Sequence, residues 1–299
     1  MILGRFRRIP WYALDLGVVT WRDVFNGKAQ TFTASNRAHF ELERELATRL
    51  HTAQVADRTR LYGEVYNELF RRWPDHPQLS IDPAGRQRAI ARKLRFLSRF
   101  LWPDATFVEI GAGDCALSIA ASAQVRRVVA VDVSDAIVAT SGTPENMTVA
   151  LSDGRTIPVD DCSIDLAFSD QLMEHLHSDD AVAQLSSICR ALRPGGIYVC
   201  ITPNRLTGPH DVSRQFAEVS CGLHLREYSA TDLEALLTEA GFRCVHFYIG
   251  AGGRYLRIPS ATARLFEKLA AKMPEPTRRR FGETLLAYVL FGVNAVGIR

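Results

Sequence analysis

A glycine turn and a series of carboxylates carry the chemistry this chain offers. In FVEIGAGDCALSIA, residues 107–120, Glu109 precedes Gly111 and Gly113, Asp114 lies within the turn, and Ala116 completes a G-x-G-x-x-A spacing. A strand that ends in such a turn and opens a helix lets the backbone approach a ligand and adds the helix's unpaired N–H groups. Dinucleotide enzymes aim those groups at a pyrophosphate. Here Glu109 and Asp114 would repel phosphate and suit a ligand with an amino group and a sulfonium instead. Asp132 follows, nineteen residues after Gly113, where a carboxylate accepts from ribose hydroxyls in either cofactor class. Asp153-Gly154 and Asp170 come next, Asp153 being placed to accept from an adenine amine.

Proton transfer near neutral pH points to histidine. His175 stands in MEHLH, and TPNRLTGPHDVSRQFAEVSCGLHLREYS places His210 beside Asp211 and His224 near Arg226 and Glu227. For each of the three, hydrogen bonding or acceptor positioning competes with an acid–base role. His177, two residues beyond His175, is expected on the surface.

Composition narrows the classes. The 299 residues are 47% hydrophobic and 23% charged, which suits a soluble globular protein with one substantial core. The net charge of +3 rests almost wholly on arginine, since Lys28, Lys93, Lys268 and Lys272 are the only lysines, and it makes no general case for nucleic acid or an anionic membrane. Cys115, Cys162, Cys189, Cys200, Cys221 and Cys244 form no C-x-x-C pair; they read as reduced thiols in a cytoplasmic protein with no metal site. The start, MILGRFRRIPWYALDLGVV, mimics a secretory signal, but Pro10 and Asp15 interrupt it and no small-residue cleavage site follows. LLAYVLFGVNAVGI, preceded by Arg278, Arg279 and Arg280, is the nearest approach to a membrane segment and reads as a buried strand.

The elements that must position these residues alternate from Thr106 onward. TFVEIG, RRVVAVDVS, MTVAL, SIDLAFS and GIYVCITP read as strands buried on both faces, FRCVHFYIG as a sixth and LFGVNAVGIR as a seventh. Between strands four and five, Ser178 is expected to cap a helix that buries Val182, Leu185, Cys189 and Leu192 and stops at Arg193-Pro194-Gly195-Gly196. Ser229 and Asp232 form a capping box for a helix with Leu233, Leu236 and Leu237 inward and Gly241 as its stop, and a further helix is expected near residues 260–273. Residues 1–100 are helical in pattern. Within them Ile90, Leu94, Leu97 and Leu101 share one stripe, and Arg88, Arg92, Arg95 and Arg99 share a face expected to be solvated.

Taken in order, EIGAGDC, VVAVDVS, SDGRTIPVDDCSIDLAFSDQLMEHL and ALRPGGIYVCITPN resemble successive motifs of the class I S-adenosylmethionine-dependent methyltransferases, over roughly residues 100–299. The resemblance implies an α/β, Rossmann-like doubly wound sheet of seven strands, the last antiparallel, with S-adenosyl-L-methionine across the strand ends. It would place Glu109, Gly111, Ala112 and Gly113 along the methionine and ribose, Asp132 and Val133 at the ribose hydroxyls, Asp153 and Gly154 at the adenine, and Asp170 near the amino-acid part. Cys115 departs from the third glycine of E-x-G-x-G-x-G, which puts close backbone approach there in doubt, although a helix can begin at that point.

The resulting organisation is a helical lid over residues 1–100 and a methyltransferase domain over 101–299, with a substrate-binding insertion at 203–230, too long for a simple connection. Tyr62 and Tyr66, four apart, could face the cofactor or simply pack. WPDHPQL resembles a loop that borders an acceptor pocket. The expected reaction is methyl transfer to a small-molecule or natural-product acceptor, with oxygen preferred because of the histidines. A nicotinamide oxidoreductase is disfavoured by the acidic turn. A nucleic-acid enzyme is disfavoured because Ser169-Asp170-Gln171-Leu172 replaces an Asn/Asp-Pro-Pro-aromatic motif. A protein methyltransferase and a non-catalytic cofactor-binding partner remain as alternatives; the intact acids weigh against the latter.

Overall fold

Five apolar runs form five parallel strands: β1 (Thr106–Ile110), β2 (Arg127–Asp132), β3 (Met147–Leu151), β4 (Ile164–Asp170) and β5 (Leu192–Thr202). Strands β1, β2 and β4 are buried almost throughout, whereas β3 ends the sheet and leaves Thr148 and Leu151 exposed, against the expectation of burial on both faces. Phe107, Val108, Leu166, Ala167, Phe168, Val199 and Cys200 are wholly enclosed. The computed structural model describes residues 34–74, 76, 83–134, 142–251 and 254–299. The amino-terminal stretch and most of WPDHPQL lie outside the described residues.

The sheet order is β3-β2-β1-β4-β5-β8-β6-β7, with β6 (Cys244–Ala251), β7 (Arg254–Ile258) and β8 (Val293–Ile298). All seven expected strands are present, and β8 runs antiparallel to both β5 and β6. The expectation of seven is corrected by the eighth strand, β7, which pairs antiparallel with β6 at the sheet edge. Its sequence, RYLRI, leaves Arg254 and Arg257 outward and shows little apolar signal, as an edge strand can.

Nine helices are described: α1 (Ala34–Thr52), α2 (Val55–Arg72), α3 (Pro83–Leu97), α4 (Ala116–Ser122), α5 (Ser178–Ala191), α6 (Ala230–Glu239), α7 (Ser260–Ala271), α8 (Glu275–Phe281) and α9 (Leu285–Phe291). One core joins α1, α2, α5 and α6 to the sheet through Leu46, Leu50, Val65, Leu69, Leu185 and Leu233. The second joins α3 and α4 to the other face through Phe96, Leu97 and Leu117, with Ile90, Leu94 and Leu101 half-buried against it. Arg88, Arg95 and Arg99 are exposed as expected, whereas Arg92 is half-buried.

Local chemistry explains several boundaries. The Ser229–Asp232 capping box forms in both directions, and Gly241 ends that segment at a φ of +103°. At α5 the cap is His177, whose side chain accepts from the Asp179 N–H, so Ser178 falls inside the first turn. Helix α5 ends at Ala191, so Leu192 and Arg193-Pro194-Gly195-Gly196 belong to β5 and not to the helix or its stop; the pairing slips there opposite Ile164–Leu166. LLAYVLF is helix α9, capped by the Thr284 hydroxyl, and β8 begins only after Gly292. A continuous apolar run does not separate a buried strand from a helix, so the cap decides. No helix of the described residues is long and apolar enough to cross a membrane. No two of the six cysteines form a disulfide.

Asp180 at the start of α5 ties the amino-terminal helices to the sheet. Its carboxylate, fully enclosed, accepts from Arg58 Nε at 2.6 Å and Nη2 at 3.1 Å, from Tyr62 Oη at 2.8 Å, and pairs with Arg155. Removing one partner of a buried pair strands the other charge. Asp180→Ala is therefore expected to lower unfolding stability by about 3–5 kcal/mol, read as a shifted denaturant midpoint at unchanged slope.

Candidate active site

Strand order alone assembles the strand-end acids. Asp153 follows β3, Asp132 ends β2, the glycine turn follows β1 and Asp170 ends β4, and these four strands are consecutive in the sheet. The connection reverses between β1 and β4, which opens a crevice at their carboxyl ends.

The turn itself is built from left-handed residues. Gly111, Gly113 and Cys115 have φ of +74°, +52° and +60°. Alternation of this kind folds the chain back so that Gly111 and Ala112 donate to the Val131 carbonyl at 2.8 and 3.1 Å. Cys115 therefore takes the conformation a third glycine would favour, at a cost of about 1–2 kcal/mol, and α4 starts directly after it. Its thiol is buried in the second core.

Glu109 is enclosed beneath the turn and accepts from Ser118 Oγ at 2.6 Å. Burial pushes its carboxyl up to about 7, against the opposing pull of Ser118 and Lys93. Asp132 accepts from the N–H groups of Gly113 (2.7 Å), Val133 (2.8 Å) and Ser134 (3.0 Å); burial still raises it above the usual carboxylate range. Asp153 Oδ1 accepts from Arg155 N, Thr156 N and Thr156 Oγ1, an Asx turn that presents Gly154 at a φ of +80°. Asp170 pairs with Lys93 of α3 at 2.6 Å, and Asp114 pairs with Arg86 of the same helix. Those two cations were invisible to motif reading, because helix periodicity marks a polar face without saying which acids it will meet.

Helix α2 covers the crevice. Gly63 lies so close to the Val133 carbonyl that a Cβ would sit 2.8 Å from its oxygen, and Asn67 Oδ1 accepts from Ser134 Oγ at 2.5 Å. The Tyr62 ring lies on Gly154, and its hydroxyl is spent on Asp180 and the His177 N–H. Tyr66 turns its ring edge-on to His175, centroids 6.0 Å apart. The two tyrosines thus face different neighbours despite their helical spacing.

The three candidate histidines share one polar network. His175 and His224 meet edge to face at 4.8 Å. His175 Nδ1 lies 2.9 Å from the Leu223 carbonyl, and burial with the neighbouring His224 lowers its pKa to about 3. His224 Nδ1 lies 2.9 Å from Glu227 Oε1; burial alone would lower it, but Glu227, Asp211 and Glu174 raise it to about 9. Glu227 would be raised by burial but is pulled down to about 2 by His210 and His224, and it also accepts from the His210 N–H at 2.6 Å. His210 Nε2 sits 2.9 Å from Thr207 Oγ1 and 3.0 Å from the Asn204 carbonyl, and burial lowers it to about 4. His177 is half-buried at the α5 cap and not on the open surface.

Glu174, adjacent to His175, belongs to this network as well. It is fully buried, accepts from Thr202 Oγ1 at 2.9 Å and is raised by burial to about 7. The letters MEHLH displayed it, but the acid–base expectation went to the histidines. A cleft of about 770 Å³, open to solvent, runs over the ends of β4, β5 and β8; Lys93, Asp170, Thr202, Asn204, His210 and Tyr288 are among its walls.

Comparison with known proteins supplies the context. A family model described as a methyltransferase domain matches residues 84–247, more than half the chain. A "Probable S-adenosylmethionine-dependent methyltransferase" of Mycolicibacterium smegmatis is 34% identical over 122 residues, 39% of this chain and 44% of that protein. A Mycobacterium tuberculosis protein of the same description is 31% identical over 121 residues, 39% of this chain and 41% of its own. The aligned part thus spans under half the length of either relative. Among solved structures, a Haloferax volcanii complex of the Trm112 methyltransferase activator with a methyltransferase is similar in fold, with a TM-score of 0.55 at 19% identity, over 77% of this chain and 96% of that one.

The contact of Tyr62 with Gly154 generates a prediction. A Cβ at Gly154 would fall 2.7 Å from a ring whose hydroxyl is anchored, at a φ few side chains adopt. Gly154→Ala is expected to cost about 1–3 kcal/mol of stability. In a Tyr62→Leu background that loss should shrink to the backbone part alone, a non-additivity measurable by paired denaturant titrations.

Proposed function

The chain belongs to the class I S-adenosylmethionine-dependent methyltransferases, and from that premise we propose that it transfers a methyl group to a hydroxyl of a small molecule held in the cleft over β4, β5 and β8. The observation that carries this reading is the adjacency of two sites: the acidic strand-end crevice and the cleft share Asp170 and Lys93 at their border.

The crevice residues fit the cofactor. Gly111 is packed so tightly that a Cβ would meet Leu172 at 3.2 Å, and the close approach of Gly154 to Tyr62 leaves no room for a side chain either. Glu109, Gly111, Ala112 and Gly113 are assigned to the methionine and ribose, Asp132 and Val133 to the ribose hydroxyls, Asp153 and Gly154 to the adenine, and Asp170 to the amino-acid end. Bound S-adenosylmethionine supplies an electrophilic methyl. The protein's part is to align an acceptor, exclude water and remove a proton.

Of the three histidines, His210 lines the cleft, which makes it the proposed base. The Asn204 carbonyl only accepts, so the ring proton sits on Nε2 and Nδ1 holds the basic lone pair. Burial keeps the ring neutral at pH 7. His175 and His224, with Nδ1 atoms committed to Leu223 and Glu227, are assigned to positioning. The modest net charge supports a small-molecule acceptor over nucleic acid.

Calorimetric titration of the full chain with adenosylhomocysteine and with NADH tests the cofactor; binding of NADH without any response to adenosylhomocysteine would overturn it. Adenosylhomocysteine carries a cationic amino group, which prefers an ionised Glu109. With that carboxyl near 7 in the unliganded protein, affinity should rise with pH between 6 and 8, by up to roughly tenfold, and Glu109→Gln should flatten the rise. On a panel of hydroxylated acceptors, His210→Gln should lower kcat by about 10²–10⁴-fold while leaving adenosylhomocysteine affinity intact. Full turnover by this variant at neutral pH would show that alignment alone drives the reaction.

A further inference from the structure

We infer that Glu174, His175 and His224 form a binding site for a first-row divalent transition-metal cation. One donor atom from each of the three lies within 4.8 Å of the others. Glu174 and His175 are consecutive in the short 3-10 turn after β4 (Met173–His175), and His224 comes from the far end of the 203–230 segment. A cation there would therefore clamp that segment onto the end of β4.

The neighbours of the three residues choose the donor atoms. His175 Nδ1 faces the Leu223 carbonyl, which only accepts, so Nδ1 carries the proton and Nε2 the lone pair. His224 Nδ1 faces a Glu227 carboxylate oxygen, so Nδ1 keeps its proton and a cation would displace the second proton from Nε2. Glu174 Oε2 takes the Thr202 hydroxyl, and Glu174 Oε1 is buried with no hydrogen-bond partner among the described residues. A carbonyl, a carboxylate and a hydroxyl behind two imidazoles and a carboxylate are the outer partners that orient metal ligands and fix their tautomers.

Two imidazoles and one carboxylate suit Zn²⁺, Fe²⁺, Mn²⁺, Co²⁺ or Ni²⁺ and not Ca²⁺ or Mg²⁺, which prefer all-oxygen shells. Metal–ligand bonds of about 2.0–2.2 Å require the donors to close from their present spacing, which side-chain rotation supplies. Local charge favours a cation: Glu174, Glu227 and Asp211 are all buried around His224. This site stands independently of methyl transfer, since its evidence is donor geometry.

A second group, His39, Glu43 and His76, also has three donors within 4.8 Å of one another. There His39 Nε2 already pairs with Glu43 Oε1 at 3.0 Å, so one ring's donor atom is spent within the group, and the group serves as the control. The experiment is Co²⁺ titration of the untagged full chain after chelator treatment, followed by visible absorption and stoichiometry. One Co²⁺ per chain is expected, with ligand-field bands that are lost in His175→Ala and His224→Ala, retained in His39→Ala, and displaced by Zn²⁺. Glu227→Gln should weaken affinity by about 10–100-fold. Absence of ligand-field bands in the unsubstituted protein would overturn the inference whatever the variants do. So would stoichiometry that survives in folded His175→Ala and His224→Ala but vanishes in His39→Ala. Far-UV circular dichroism of the metal-free variants establishes that they are folded, and adenosylhomocysteine titration of the same samples reads the methyltransferase assignment separately.

Discussion

The architecture turns on a carboxylate that water does not reach. Asp180 is fully enclosed, and burial alone would raise its pKa; the bonds from Arg58 and Tyr62 and the charges of Arg58 and Arg155 lower it instead. An enclosed carboxylate is tolerable only with several well-placed donors. Those donors come from α2 and from the loop after β3, so satisfying one charge fixes where the amino-terminal helices lie on the sheet. Tyr62, held by this bond, is then pressed onto Gly154, and Gly63 onto Val133. The roof over the crevice is thus a consequence of desolvating Asp180.

Beneath that roof, the strand-end acids differ in how they are held. Asp132 is surrounded by backbone donors from its own loop and the glycine turn, so it shapes the turn as well as facing the crevice. Glu109 has a single hydroxyl partner, and burial carries its carboxyl up to about 7. Asp170 and Asp114 are balanced by Lys93 and Arg86, both on α3. The two faces of the molecule therefore both reach the same edge of the sheet, α2 by packing and α3 by charge.

The 203–230 segment is organised around Glu227. Its Oε1 takes the His210 N–H and faces His224 Nδ1, while Leu223 donates to Glu43 of α1 and accepts from His175. One residue, Leu223, thus links the amino-terminal helices, the turn after β4 and the 203–230 segment. The cleft wall carrying His210 is held by the same carboxylate that holds the ring of His224, so the proposed acceptor site and the inferred cation site share a support.

Strand runs, the glycine turn and the order of the acids were legible because each depends on local pattern: apolar continuity marks buried strands, and a strand-to-helix turn needs residues tolerant of positive φ. Even Cys115 was readable as the helix start. RYLRI was not readable as a strand, since an edge position asks little of its side chains, and LLAYVLF was misread because seven apolar residues satisfy a helix and a strand equally. Sequence by itself determined which residues stand at the strand ends and hence the family. Only the tertiary structure decided which side chains meet: Arg58 with Asp180, Lys93 with Asp170, and Glu174 and His175 with His224 of the 203–230 segment. Such pairings depend on how desolvated groups far apart in the chain find partners, and no local pattern encodes that.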